Sequence, residues 1–195
     1  GLWARACPRL APLADGVELA DSWATDAHKW LNVPYDSGLA FCRDEKALIA
    51  TMSTSAAYLL AGATREPSNY TPELSRRGRG TEIWAALLSL GRDGLAEVIE
   101  RDCRLAQRMA AALQDAGIQV LNEVCLNQVL VSFGSPERTR QVIAALQQDG
   151  TAWYGGTAWQ GHTAMRVSVS SWATTEDDAD RSVEAIIRAA SVVAG

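Results

Sequence analysis

The pattern of hydrophobic and polar positions divides the chain into a β-rich first part and a second part with helical periodicity. Up to about residue 75, short apolar runs alternate with proline and glycine, which predicts short strands and loops. The run Ser22–Thr25 is β-rich, and Gly38–Cys42 is predicted to be a short buried strand. Residues 61–69 have the composition of a mobile loop. This part is expected to be the end of an α/β domain.

After residue 80, apolar positions recur at helical spacing. A stripe that begins at Ile83 and ends at Leu90 is interrupted over residues 91–94 and resumes from Leu95 to Leu113. Gly117 supplies the predicted stop, because glycine adopts the left-handed conformation that ends many helices. The sequence therefore predicts a long helical region with one interruption.

Shorter elements follow this region. Strands are predicted at 118–121 and 128–133, and Ser135 and Pro136 open a helix that ends near Gly150. Further along, alternation predicts a half-buried strand, with Arg166 on the same face as Ser168 and Ser170 and opposite Met165, Val167 and Val169. The last helix has Thr174 or Thr175 as its cap and acidic residues in its first turn. Residues 81–195 are therefore predicted to form a small α+β domain.

Composition excludes several classes of protein. The chain has 195 residues, a formal net charge of -5 and 48% hydrophobic residues, which suits one ordinary domain or two small ones. No apolar run is long enough to span a bilayer and no leader opens the sequence, so a soluble, cytoplasmic protein without a membrane partner is expected. The acidic balance argues against a nucleic-acid partner.

The four cysteines do not indicate a metal or disulfide site. They are scattered along the chain without a C-x-x-C pair, so neither zinc nor a disulfide framework is predicted. Reduced core or surface thiols are the expectation, and no metal ligands are assigned.

The most informative segment is Thr25–Trp30, which places Lys29 between His28 and Trp30. An amine in a partly apolar pocket loses solvation of its ammonium form, which favours the neutral, nucleophilic form. Such a lysine can form a Schiff base with an aldehyde. The alternative is an ordinary solvated surface lysine, and three residues alone do not separate the two interpretations.

The context of Lys29 extends the pattern. The stretch 20–38 resembles the pyridoxal-phosphate lysine segment of the group II amino-acid decarboxylases, and the resemblance is nearest to the aromatic-L-amino-acid branch. It continues in order through Tyr58-Leu59, through 72–77 and through 165–170. The resemblance thus spans nearly the whole chain.

The resemblance implies the aspartate-aminotransferase-like fold with pyridoxal 5'-phosphate as cofactor. Residues 1–80 would be the C-terminal part of the cofactor-binding large domain, and residues 81–195 the small C-terminal domain. Relatives also carry, upstream, an aspartate that binds the pyridine nitrogen and a histidine that stacks on the ring. The chain is therefore expected to be the C-terminal part of a longer enzyme and to be inactive when isolated.

The resemblance also assigns roles near Lys29, which would carry the cofactor. His28 would reach the cofactor phosphate or assist proton movement, and its alternative is a histidine satisfied by the backbone. Asp26 stands where many relatives have asparagine near the phosphate. A carboxylate there is repulsive unless it is protonated or shielded, so the role of Asp26 stays open.

Three more residues are assigned by resemblance. Tyr58 would be the proton donor on a mobile loop, and Ser75 would make a backbone contact with the cofactor phosphate of the partner subunit. Arg166 would hold the substrate carboxylate or a structural acid near it. The alternatives are a packing tyrosine, surface ion pairs of the Arg76, Arg77 and Arg79 cluster, and a solvent-facing arginine. His162 and the tryptophans Trp153, Trp159 and Trp172 are assigned to packing or loops.

The implied reaction is decarboxylation of an L-amino acid, preferably aromatic, to its amine and carbon dioxide, by a homodimer with shared sites. Tyr58 favours this reaction over the aldehyde-forming chemistry of relatives with phenylalanine there. The alternatives are transamination or aldehyde formation on the same fold, or a non-catalytic piece used for dimerisation.

Overall fold

The computed structural model describes residues 2–53 and 64–193, and the chain divides into two compact units. The first unit is Gly1–Gly91 and the second is Arg92–Gly195. The boundary between them in the sequence lies one helical segment beyond the predicted boundary at residue 80. The reason is a break inside the helix that begins at Gly80, since Gly91 has a φ of 63° and a ψ of -172°, which is not helical.

The first unit opens with short helical turns. They are 3₁₀ helices at Leu2–Ala6, Ala11–Ala14 and Val17–Leu19. The prediction of strands was wrong for this segment. Proline supplies no N–H for a strand ladder, and Pro12 lies at the start of one of these turns instead. Trp3 and Leu10 are buried here.

The next elements form a hairpin. Strand β1 (Ser22–Asp26) pairs in antiparallel register with β2 (Gly38–Cys42), and the short helix α1 (Ala27–Trp30) begins directly after β1. The strand prediction is confirmed, but the prediction that Gly38–Cys42 is buried was wrong: four of its five residues are exposed. The physical reason is that β1 is the only described strand that pairs with β2, so its faces stay accessible.

A helix that was not predicted follows the hairpin. Helix α2 (Glu45–Met52) is capped by Asp44, whose side chain accepts a hydrogen bond from the amide of Ala47. A 3₁₀ turn, Pro67–Tyr70, precedes α3 (Gly80–Asp115). The predicted stripe lies on the first segment of α3, but Trp84 there is 64% exposed in this structure.

The second unit is a sheet with helices on one face. Its elements after α3 are β3 (Gln119–Val120), β4 (Gln128–Ser132), α4 (Pro136–Asp149), β5 (Gly155–Trp159), β6 (His162–Ser168) and α5 (Glu176–Val192). The strands are antiparallel in the order β3-β4-β6-β5. Strand β5 was not predicted, and it places Trp159 in the sheet rather than in a loop.

One hydrophobic core holds this unit together. Its buried side chains come from the second segment of α3, from α4 and α5, and from one face of the sheet: Met109, Leu113, Val129, Val131, Val142, Leu146, Met165, Val167 and Ile186 are among them. The predicted helix ends are confirmed. Gly117 and Gly150 have φ of 76°, Ser135 caps α4, and Thr175 with Asp178 forms a capping box on α5.

Three further properties concern the residues that the structure describes. Among them, no helix has the length and apolar character needed to cross a bilayer. Within the same ranges, no group of three or more His, Cys, Asp or Glu side chains converges in a way that could hold a metal ion. No disulfide joins the four cysteines, all of which lie in the described ranges; Cys7 and Cys103 are buried, and Cys42 and Cys125 are exposed.

Candidate active site

The lysine turn, residues 26–37, connects β1 to β2 and carries the predicted reactive amine. The backbone of the turn is anchored by buried side chains, with Ala27 at 0% and Trp30 at 7% exposure. The side chain of Lys29 lies between these anchors in sequence and is 68% exposed. Buried residues on both sides of Lys29 therefore fix the backbone of the short helix, while the amine of Lys29 stays accessible.

The far end of the turn folds back onto its beginning through Ser37, which is 2% exposed. The carbonyl oxygen of Ser37 accepts hydrogen bonds from the amides of Ala27 at 3.0 Å and His28 at 3.3 Å. The Nδ1 atom of His28 lies 3.0 Å from the amide nitrogen and 2.7 Å from the carbonyl oxygen of the same serine. The ring of Tyr35 packs against the imidazole at 4.0 Å. Both the backbone and an aromatic ring therefore orient His28.

A polar cap ends the short helix that carries Lys29. Asn32 adopts a positive φ of 56°, which asparagine tolerates better than most residues. Its side-chain amide donates to the carbonyl oxygens of Lys29 at 3.2 Å and Trp30 at 2.8 Å. These contacts satisfy carbonyl groups that α1 leaves without helical partners.

Lys29 does not lie in an apolar pocket built from the described residues, contrary to the sequence prediction. Its Nζ atom forms an ion pair with Oδ2 of Asp26 at 2.6 Å, in an exposed setting. The hydrogen bond from Lys29, with the lysine charge and a smaller contribution from His28, lowers the pKa of Asp26. Asp26 is thus ionised at neutral pH, and in this structure its charge is paired with that of Lys29.

Two arginines that the sequence placed in a surface cluster hold the lysine turn from outside. Arg79 donates to both carboxylate oxygens of Asp36, at 2.9 Å and 3.2 Å from Nη2, and its Nε donates to the Asp36 carbonyl oxygen at 2.9 Å. Arg77 donates to the same carbonyl oxygen at 3.0 Å and pairs with Glu82 at 2.7 Å. The Arg79 hydrogen bond is the main reason that the pKa of Asp36 is lowered. Sequence reasoning missed these contacts, although the dense basic cluster was a signal.

Three other predicted site residues lie elsewhere in the chain. Tyr58 lies outside the described residues. Ser75 is exposed in an irregular segment before α3. Arg166 lies in the second unit, exposed on β6 opposite Leu130 and Gly155. The face prediction for its strand is confirmed, because Met165 and Val167 point into the core.

Comparison with known proteins identifies relatives over most of the chain. Residues 3–134 match the family model described as pyridoxal-dependent decarboxylase conserved domain. The aromatic-L-amino-acid decarboxylase of Drosophila lebanonensis is 27% identical over 191 residues, which cover 94% of this chain and 47% of that protein. The histidine decarboxylase of Drosophila melanogaster is 30% identical over 192 residues, which cover 96% of this chain and 23% of that protein.

A solved structure gives the fold. The crystal structure of Oryza sativa TDC with PLP and tryptamine superposes with a TM-score of 0.90 at 22% identity, over 97% of this chain and 42% of that one. This likeness confirms the predicted fold class. The chain spans less than half the length of these relatives. Since the family model matches more than half of the sequence, the chain belongs to the pyridoxal-dependent decarboxylase family.

Proposed function

We propose that the full-length protein that contains this chain is a pyridoxal-phosphate-dependent amino-acid decarboxylase. One observation carries the proposal: in a chain of this family, Lys29 presents an accessible amine from a turn whose backbone is fixed by Ala27, Trp30 and Ser37. An accessible amine on a fixed backbone can be reached by an aldehyde and can condense with it to a Schiff base.

The residues of the lysine turn fit the cofactor. Lys29 provides the primary amine, and His28 provides an imidazole whose orientation is held by Ser37 and Tyr35. Asp26 pairs with Lys29 before the cofactor is bound, and its carboxylate would repel a nearby phosphate once Lys29 holds the cofactor. When bound, pyridoxal phosphate supplies an electron sink for the bond that breaks at the substrate α-carbon.

Each side chain then has a distinct task. Lys29 holds the cofactor in place, and His28 contacts it or moves a proton beside the Lys29 nitrogen. Asp26 holds the Lys29 amine while that amine is not engaged. The position of these groups on one short turn supports a shared role, because a misplacement of about 1 Å can cost roughly a hundredfold in rate.

The remaining roles are proposals from the sequence resemblance. Tyr58 would donate a proton to the substrate carbon, Ser75 would contact the cofactor of a partner subunit, and Arg166 would bind the substrate carboxylate through its planar fork. The exposure of Arg166 on β6 is compatible with that role. Homodimerisation and a cytoplasmic location stay predictions.

The substrate class is an L-amino acid, and we favour an aromatic one. The relatives named above include an aromatic-L-amino-acid decarboxylase and a histidine decarboxylase. Both names describe amino acids with a ring in the side chain, which supports this choice for the present chain.

Borohydride reduction of the full-length protein with cofactor, followed by peptide mapping, tests the proposal. The chain offers a matched control because it contains only two lysines, Lys29 and Lys46. Lys46 lies exposed on α2. The cofactor should be recovered on Lys29 and not on Lys46, and Lys29→Ala should abolish the label. Label on Lys46, or on neither lysine, would contradict the proposal.

A product assay separates the alternatives on the same fold. Tyr58→Phe removes the hydroxyl that the sequence assigns to protonation. If the wild-type protein forms amine and Tyr58→Phe shifts its product to aldehyde, decarboxylation is supported. If the wild type releases aldehyde or transfers the amino group, a different pyridoxal-phosphate reaction is correct. If the full-length protein binds no cofactor, the non-catalytic interpretation is correct.

A further inference from the structure

We propose that Arg79 is a positioning residue of the candidate active site, which acts through the Asp36–Ser37 peptide group on the imidazole of His28. This inference rests on the proposed function, because it assigns a partner to a side chain that the proposed function uses. It concerns a residue that sequence reasoning placed in an ordinary surface cluster.

The first step is the contact between Arg79 and Asp36. The guanidinium group reaches both the carboxylate and the backbone carbonyl oxygen of this one residue. A planar fork that donates in two directions fixes orientation as well as distance, which a single ion pair does not. The Arg79 side chain is 23% exposed, whereas that of its partner is 68% exposed. The arginine is therefore the better anchored member of the pair.

The second step passes through the peptide group. The carbonyl oxygen of Asp36 and the amide N–H of Ser37 belong to the same planar unit, so fixing one end fixes the direction of the other. Arg77 and Arg79 both donate to the oxygen end, at 3.0 Å and 2.9 Å. At the other end, the amide nitrogen of Ser37 lies 3.0 Å from Nδ1 of His28. The arginines thus set the direction of the group that the imidazole meets.

The third step concerns the burial of Ser37. This residue is 2% exposed, and its carbonyl oxygen also accepts the amides of Ala27 and His28. That carbonyl belongs to the next peptide group, Ser37–Gly38, which shares the Cα of Ser37 with the Asp36–Ser37 peptide. A displacement of this Cα would therefore disturb the bonds to Ala27 and His28, which lie directly before Lys29. Removal of Arg79 should therefore weaken both the backbone hydrogen bonds of the lysine turn and the contact that orients the imidazole of His28.

A neighbouring arginine provides the contrast. Arg76 lies three residues before Arg79 and makes an exposed ion pair with Glu73 at 3.2 Å. Pairs of this kind contribute little to stability and orient nothing beyond themselves. Arg76→Ala is therefore a matched control that removes the same type of side chain from the same segment.

Hydrogen–deuterium exchange of the full-length holoenzyme tests the contact directly. In Arg79→Ala, the amides of Ala27, His28 and Ser37 should exchange at least about fivefold faster, the factor that corresponds to one net hydrogen bond. Arg76→Ala should leave these amides unchanged. Strand β6, in the second unit, should exchange at the wild-type rate in both variants.

Kinetics provide a measurement that a purely structural role would not change. Arg79→Ala should lower kcat for amine formation by about tenfold, with KM changed by less than about threefold, since the effect is on alignment at the reacting centre. Added guanidinium ion, far below denaturing concentrations, should restore part of kcat in Arg79→Ala. Arg79→Lys should retain an intermediate kcat, because it keeps the charge without the fork.

Two outcomes would overturn the inference. Exchange in the lysine turn of Arg79→Ala could equal that of Arg76→Ala, or exchange could rise equally in β6, which would show general destabilisation. Failure of the proposed function has a different signature, namely a wild-type protein in which borohydride places no cofactor on Lys29. In that case the exchange measurement still reports whether Arg79 holds the turn.

Discussion

The two compact units are stabilised by different kinds of contact. In the second unit, apolar side chains of three helices and one sheet face form a continuous core. In the first unit, the lysine turn is held by backbone carbonyls and arginines, while large apolar side chains such as Leu19, at 74%, and Trp84, at 64%, remain exposed. The lysine turn is thus held by polar contacts together with the buried Ala27 and Trp30, whereas a continuous apolar core determines the geometry of the second unit.

This difference separates two effects of mutation. Substitutions in the second unit should act through stability, because each buried side chain there contacts many others. Substitutions of the exposed side chains in the lysine turn should act through the placement of those groups and leave stability nearly unchanged. The predictions below would sharpen or break this division.

The largest effect is expected for Lys29→Ala in the full-length protein. Loss of the amine that holds the cofactor should reduce amine formation by roughly a thousandfold or more. Because Lys29 is 68% exposed, the free energy of unfolding should change by less than about 0.5 kcal/mol. Product chromatography and urea unfolding measure the two quantities. Lys46→Ala is the control, and an equal loss of activity in it would break the division.

A core substitution in the second unit should lower stability. Leu146 is 0% exposed within the core, so Leu146→Ala should lower the free energy of unfolding by about 2–5 kcal/mol through lost burial and the cavity left behind. The matched variant Leu19→Ala should cost less than about 0.5 kcal/mol, because Leu19 is 74% exposed. Urea unfolding of both variants decides, and equal costs would contradict the contrast between the units.

The charge on Asp26 should affect cofactor binding modestly. If the cofactor phosphate binds nearby, Asp26→Asn should tighten cofactor binding by about fivefold, since unit charges about 4 Å apart interact by about 1 kcal/mol in water. Asp21→Asn is the control with the same change of net charge, at an exposed residue just before β1. Fluorescence titration with pyridoxal phosphate measures the affinities. Weaker binding in Asp26→Asn would show that the carboxylate contributes favourably instead.

The side-chain cap of the last helix should contribute about 1 kcal/mol to the free energy of unfolding. The hydroxyl of Thr175 accepts the amide of Asp178, so Thr175→Ala should lower the free energy of unfolding by about 1 kcal/mol. Thr174→Ala should have little effect, because the observed contact of Thr174 is through its backbone amide. Thermal unfolding of the two variants compares them directly. Equal losses would show that the cap hydroxyl is not the cause.

The smallest effect is a pH dependence at Asp36. Its pKa lies below the value of about 4 that is usual for aspartate, chiefly because Arg79 donates to its carboxylate. A lowered folded-state pKa contributes stability that is present above the unfolded pKa and is lost as pH falls through the folded one. The wild type should therefore lose stability in this acid range, and Arg79→Ala should lose less. Carbon NMR of the carboxyl group should show the Asp36 pKa rising towards its usual value in Arg79→Ala.

Much of the second unit could be predicted from the sequence because its signals are local. Gly117 and Gly150 mark helix ends, Ser135 with Pro136 marks a start, and the alternation around Arg166 gives the correct strand face. Strand β5 was missed because its residues, which include two glycines, show little hydrophobic alternation.

The first unit was predicted less well because its structure depends on distant partners. The burial expected for Gly38–Cys42 requires neighbours that the described residues do not supply. Arg79 and Asp36 are 43 residues apart in sequence, so no local pattern could pair them. The apolar pocket expected around Lys29 was replaced by an ion pair with Asp26, three residues away.

By itself, the sequence determined to which family the chain is related and made Lys29 the candidate for the reactive amine, because the residues around it form a contiguous motif. It also determined most helix ends, which depend on the conformations of single residues. Only the tertiary structure decided that Ser37 orients His28, that Arg79 holds Asp36, and that Asp26 is ionised beside Lys29. The physical reason is that direction, burial and charge at one residue are set by groups that folding brings to it.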